Sequence, residues 1–238
     1  MKPKEFLKAF VEDCRYYDLE KKEIKVILKN VDVKDKTILD IGAGIGRLSF
    51  PLSRYAKKVI ALDGDKRLKD YFKKHKKRNV RFVNQSLEKF LRKNKKFDVI
   101  LLAWPTINFS FIKLVKKAMD KNTKFMFITC DNNSDFETII DKLDTKKDFD
   151  KDIENKKKFI ENLLKTFKII LEKKINTNYI YPNEKIAFRV IKNAMRLWFN
   201  IKFNKELEKK LIKIIKKHKR SNRILFREKI YFYELTKK

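Results

Sequence analysis

The sequence predicts an α/β protein built on a mostly parallel sheet with helices on both faces, and three observations carry that prediction. Short apolar runs near 37–41, 58–63, 80–83, 97–103 and 124–130 alternate with amphipathic segments. The runs are continuously apolar instead of alternating, as strands buried on both faces require. Three of the four glycines in the chain fall in one loop, between the first run and the segment after it.

The elements follow in order. Apolar residues at helical spacing (Phe6 and Phe10; Ile24, Val26, Ile27 and Leu28) predict leading helices over 3–14 and 19–30. The first strand is expected at 37–41, a helix at 46–56, a second strand at 58–63 and a helix at 66–75. Val80-Arg-Phe-Val83 reads as the third strand, with a helix near 86–93. Phe97-Asp-Val-Ile-Leu-Leu-Ala103 reads as the fourth, with a helix over 108–120, and Lys124-Phe-Met-Phe-Ile-Thr-Cys130 as the fifth. Residues 131–158 are charged and poorly periodic, which suggests a long loop or a loosely held helix. A helix at 156–166, a β-rich stretch at 167–181, helices at 183–200 and 204–219 and a closing strand at 224–235 complete the chain. No internal repeat or low-complexity linker interrupts it. The expectation is one domain over 1–238, with an N-terminal helical cap at 1–33, a ligand-binding core at 34–131 and an elaborated half at 132–238.

Composition sets outer limits. A chain of 238 residues can bury one α/β core with appendages, but not two catalytic domains. Cys14 and Cys130, far apart, offer neither a disulfide framework nor metal spacing, and no metal site is expected. No apolar leader core and no span-length apolar window occurs, so the chain reads as soluble and cytoplasmic, with no membrane partner. The net charge is +31. Such charge attracts polyanions and makes RNA an open partner. Lysine is nevertheless spread along the whole length, as a strongly AT-biased genome would produce. The local clusters are Lys73 to Arg78, Lys93 to Lys96 and Lys213 to Arg223. Oligomeric state is not readable.

The chemistry concentrates in Thr37-Ile-Leu-Asp-Ile-Gly-Ala-Gly-Ile-Gly46, with Val59-Ile-Ala-Leu-Asp63 one helix-length later. Gly42, Gly44 and Gly46 let backbone approach a ligand closely. Asp63 ends the neighbouring strand, where a carboxylate can accept both hydroxyls of a ribose. The fourth glycine, Gly64, follows it directly. A dinucleotide fingerprint would need a small residue where Arg47 stands, so a nucleotide-dependent oxidoreductase is disfavoured. Asp40, two residues ahead of the first glycine, would repel a pyrophosphate but can pair with an α-amino group.

Acid, three glycines and a second acid about twenty residues on resemble motif I and its follow-on in class I S-adenosylmethionine-dependent methyltransferases. The resemblance is good over 36–130 and loose beyond. It implies a Rossmann-like seven-stranded sheet whose last strand is antiparallel, with a helical insertion at about 183–219 between strands six and seven. It implies S-adenosylmethionine as cofactor and S-adenosylhomocysteine as product. Asp40 would then receive the methionyl ammonium, or else cap the loop. Asp63 would hold the ribose, while Asp65 starts the next helix. The family's usual acid toward the adenine amine is replaced in Val83-Asn-Gln-Ser-Leu87, where Ser86 beside Leu87 is either a weak adenine contact or a helix N-cap.

Strand four ends in Ala103-Trp104-Pro105, followed by Thr106, Ile107, Asn108 and Phe109. Adenine N-methyltransferases carry a leading polar side chain here, so that reading, ribosomal dimethyladenosine enzymes included, is disfavoured. Trp104 either walls off the sulfonium, stacks on the acceptor, or is a core aromatic. Tyr179 and Tyr181, and Arg189, Arg196 and Trp198 on the next helix, are candidates for acceptor contacts. Phe188, Ile191, Met195 and Phe199 read as core packing. His75 and His218 read as surface. No nucleophile stands out, nor does methyl transfer demand one, since it needs alignment above all. The functional expectation is a methyltransferase whose acceptor, slightly in favour of a small molecule or protein side chain, is otherwise an RNA. The rival from another class is a non-catalytic nucleic-acid-binding protein that keeps the fold.

Overall fold

The computed structural model describes residues 3–93, 96–105, 108–130, 134–143 and 146–238. Expectations that touch 94–95, Thr106 and Ile107, 131–133 and 144–145 lie outside the described residues.

Helices α1 (Pro3–Tyr16) and α2 (Lys22–Asn30) lead into strand β1 (Thr37–Ile41). The chain continues through α3 (Ser49–Leu52), β2 (Lys58–Asp63), a 3-10 turn at Lys66–Leu68, α4 (Lys69–Lys74), β3 (Val80–Asn84), α5 (Leu87–Leu91), β4 (Val99–Ala103), α6 (Ser110–Ala118) and β5 (Lys124–Cys130). It closes with α7 (Asp135–Lys142), α8 (Lys146–Thr166), β6 (Phe167–Tyr181), α9 (Glu184–Trp198), α10 (Lys205–Lys217), a two-residue β7 (Lys219–Arg220) and β8 (Arg223–Lys237). The sheet runs β3-β2-β1-β4-β5-β8-β6, and β7 pairs antiparallel with β8. β1 is parallel to both β2 and β4, with Asp40 level with Ala61 and Leu101. The expected seven long strands are all present, and α9 and α10 form the insertion before the last one.

The chain divides into two compact units, and each has its own core. One comprises Glu23–Thr129, Glu154–Lys174 and Tyr231–Lys238. Its core takes Leu39, Ile41, Leu62, Ile100, Leu102, Phe125 and Phe127 from the strands, with Phe159 and Leu163 from α8. Ile38, Val59, Leu101 and Met126 point the other way and are equally buried, so both faces are covered. The other unit comprises Met1–Lys22, Cys130–Ile153 and Ile175–Ile230. Its core gathers Ile139, Tyr181, Val190, Ile191, Met195, Leu211, Ile215 and Phe226.

One expectation is corrected and one open alternative is decided. The helix after the glycine loop is four residues long instead of spanning 46–56. Gly46 sits at φ +76°, outside helical backbone, so the helix cannot start there. Farther on, Ser53 Oγ donates to the Phe50 carbonyl and the Asn79 amide donates to the carbonyls of Ser53 and Ala56, which diverts the chain from a further turn. Of the two readings for 131–158, a long loop or a loosely held helix, the helical one holds: the stretch contains α7 and the first half of α8. Ser134 starts α7 through a capping box with Glu137. The first half of α8 carries few apolar residues, so no buried stripe reveals it in the sequence.

Candidate functional site

The carboxyl ends of β1, β2 and β4 bring the predicted acid, glycine and aromatic residues together in one unit. Gly42 and Ala43 donate their amides to the Leu62 carbonyl, which draws the glycine loop across the end of β2. Gly44 then donates its amide to Asp63 Oδ2 at 2.9 Å, and Asp65 donates to Oδ1 at 2.8 Å. Asp63 is half-buried. Each carboxylate oxygen accepts two hydrogen bonds, so the pair of amides fixes the group and leaves one acceptor direction per oxygen. That is what a vicinal diol requires. Asn84 donates to the Asp63 carbonyl, and Asp65 caps the following turn through Arg67, as expected.

Gly42 has φ +68° and no heavy atom within 4 Å of where a Cβ would stand. The loop there faces open space, and the left-handed backbone, not a crowding neighbour, calls for glycine. Gly46 differs: a Cβ would lie 2.6 Å from the Phe50 ring. Its smallness serves packing.

Asp40 is buried and accepts from Ser49 Oγ at 2.6 Å. Burial pushes its carboxyl up to about 7, against the lowering effects of Ser49 and Arg47. The site thus holds an acid poised to ionise near neutral pH, suited to a cationic partner. Ser86 is the N-cap of α5 and accepts from the Lys89 amide at 3.3 Å, while Leu87 is buried behind it. Gly64 is exposed, and an added Cβ there would meet no atom within 4 Å; Ala103 is half-buried at the end of β4.

Trp104 occupies left-handed backbone at φ +53°, rare for a bulky residue and costing about 1–3 kcal/mol. Its amide donates to the Ile128 carbonyl and its indole N–H to Glu23 Oε1 at 2.7 Å. Glu23, wholly buried, also pairs with Arg47, the residue after the last loop glycine. One carboxylate on α2 therefore ties the glycine loop to the aromatic at the end of β4. Sequence reasoning missed Glu23 and Ser49. Glu23 sits among the buried positions of an amphipathic helix, and a glutamate on that face was the available signal.

The candidates in the other unit are placed differently. Tyr181 is fully enclosed against Tyr16 and Phe226, and Tyr179 packs at a tilt against Phe136 and Tyr17. Burial, with the charge of Asp13 beside them, pushes both phenols well above their usual range, so neither is a base at neutral pH. Arg189 pairs with Glu12, Trp198 donates to Asp13, and Arg196 is exposed. Ile191 and Met195 are core as expected, whereas Phe199 is exposed. His75 is exposed and stacks on Tyr71. His218 stacks on Phe226 and is held below its usual pKa by burial. Among the described residues no cluster of His, Cys, Asp and Glu could hold a metal ion, and no helix is long and apolar enough to cross a membrane.

Residues 38–127 match the methyltransferase domain family. A protein named probable ribosomal RNA small subunit methyltransferase A, from Methanosphaera stadtmanae, is 40% identical over 68 residues, covering 28% of this chain and 25% of its own. The ubiquinone biosynthesis O-methyltransferase of Pelagibacter ubique is 34% identical over 82 residues, 34% of each chain. The matches thus span about a third or less of these relatives. Among solved structures, the YcgJ protein of Bacillus subtilis superposes with a TM-score of 0.58 at 14% identity, covering 91% of this chain and 99% of that one. Precorrin 8W decarboxylase of Methanobacterium thermoautotrophicum gives 0.52 at 10% identity, covering 90% and 89%. At such identities the likeness is one of fold. The family match lies on the stretch that holds the glycine loop and its two acids, and the solved structures share the fold of this chain.

Proposed function

We propose that this chain transfers a methyl group from S-adenosylmethionine to a planar acceptor that stacks on Trp104. The observation that carries the reading is Asp63, pinned by the Gly44 and Asp65 amides with acceptor directions to spare. Asp63 would hold the ribose, Asp40 the methionyl ammonium, and the backbone at Gly42 would lie against the ligand. When bound, S-adenosylmethionine supplies a methyl already activated on a positive sulfur. The protein then has to align donor and acceptor and exclude water. Trp104 offers a flat face that attracts a cation and stacks on a ring. Its indole N–H, held by Glu23, keeps that face in one orientation. The matching relatives are named for RNA and for ubiquinone biosynthesis, and RNA bases and quinones are both flat rings. A small aromatic molecule and an unstacked base both fit such a wall.

The test is calorimetric titration of the protein with S-adenosylmethionine and, separately, with NAD, repeated on Asp63→Ala. Binding of the first ligand only, abolished in the variant, is the expected result. Binding of NAD, or of neither, overturns the reading.

A further inference from the structure

The charge of this chain is not distributed alike in all its lysine-rich helices. α8 carries seven lysines interleaved with five acids, the pattern of a solvated helix in a lysine-rich protein. Residues 209–223 carry eight lysines and arginines and no acid. Lys205, Lys209, Lys213 and Lys217 recur at every fourth position of α10, all exposed, and form one stripe about 18 Å long. The two acids of α10 are engaged elsewhere: Glu206 pairs with Lys210 and Glu208 with Lys192. Neither neutralises the stripe. The hairpin after α10 extends the charge, and Arg220 stands directly opposite Arg223 across β7 and β8. Like charges four apart on a helix, and like charges facing across strands, both oppose folding. Folding alone gives no reason for this arrangement, whereas a polyanion laid along it would relieve every one of these repulsions. Beside the hairpin, Asn183, Glu184, Lys185, Lys219, Asn222 and Ile224 line an open cleft of about 400 Å³, in which Lys219 pairs with Glu184.

We propose that the face formed by α10 and the β7–β8 hairpin binds the phosphate backbone of single-stranded RNA. The surface belongs to one compact unit and is read independently of the cofactor loop. It rests on the methyltransferase reading only in making RNA the carrier of the planar acceptor. Lysines on a helix offer point charges to phosphates without reading bases, so binding is expected to be tolerant of sequence and steeply salt-dependent.

The experiment measures binding of a short fluorescein-labelled single-stranded RNA across a salt series. It compares the wild type, a variant with Lys205, Lys209, Lys213 and Lys217 all changed to Gln, and a control with Lys73, Lys74, Lys76 and Lys77 changed to Gln. The stripe variant is expected to bind about tenfold more weakly or worse at physiological salt, with a slope flattened by roughly 2 to 3, while the control stays within about threefold. Its thermal stability is expected to hold or rise, because the repulsions are gone. Equal weakening in both variants would reduce the effect to net charge and overturn the proposal. So would unchanged binding in the stripe variant, or equally tight binding to anionic phospholipid vesicles. Titration of the same variants with S-adenosylmethionine, without RNA, tests the cofactor reading separately, so either idea can fail alone.

Discussion

Asp40 and Glu23 are buried acids with different tasks. Asp40 has one hydroxyl donor and is raised to about 7 by burial, so in the ligand-free fold it holds its proton through acid pH. In the unfolded chain it ionises near 3.8. Its contribution to folding is therefore fully present below about 4 and is lost as pH rises through 7. Pairing with an ammonium reverses the preference. S-adenosylmethionine affinity is predicted to rise with pH up to about 7 and then level off, with uptake of the ligand releasing a proton. Asp40→Asn should bind weakly and without that slope, which calorimetry in two buffers of different ionisation enthalpy would read. Glu23 is instead shared by Arg47 and the Trp104 indole. Removing one member of a buried charge pair costs about 3–5 kcal/mol. Glu23→Ala should lose that much in urea unfolding, whereas Trp104→Phe, which keeps the ion pair, should lose less. A similar loss in both would mean that the indole contact, not the ion pair, holds the loop to β4.

At the scale of the element, the glycine loop separates two uses of the same residue. Gly42→Ala adds a Cβ into open space at φ +68°, where the backbone penalty is about 1 kcal/mol. Its stability should fall by little more than that, while S-adenosylmethionine affinity falls at least about tenfold. Gly46→Ala pays the same backbone penalty and drives a methyl into the Phe50 ring, so it should unfold more easily whether ligand is present or not. Thermal melts with and without S-adenosylmethionine distinguish the two. In the other unit, Ser134→Ala removes one half of the α7 capping box and is predicted to cost about 1 kcal/mol. The loop, its acids and the strand-helix alternation were legible because each is a local signal, carried by spacing and residue type. Glycine at every second position marks close approach, and continuous apolar runs mark strands covered on both faces. The front of α8 was not legible, because a helix charged on nearly every side writes no periodic stripe. α7 was legible and passed over: Phe136, Ile139, Ile140 and Leu143 recur at helical spacing and pack in the core of that unit.

For the whole molecule, a net charge of +31 means self-repulsion in the folded state. Added salt shortens the range of that repulsion to about 10 Å at 0.1 M. The melting temperature is predicted to rise as sodium chloride goes from low to physiological concentration, and a fall would show that surface ion pairs outweigh the excess charge. Two cores divide the 238 residues, and the chain crosses between units several times, so no stretch of sequence marks a boundary. A linker rich in Gly, Pro or Ser would have announced one, and there is none. The sequence by itself determined the order of strands and helices, the parallel core, and the loop with Asp40, the glycines and Asp63, because each depends on neighbours within one strand-loop-helix unit. Only the tertiary structure decided that Glu23 joins Arg47 to Trp104, that Ser49 serves Asp40, that Tyr181 is core, and that the lysines of α10 align on one unneutralised face. These depend on residues far apart in the chain meeting in space, and on which charges find partners there.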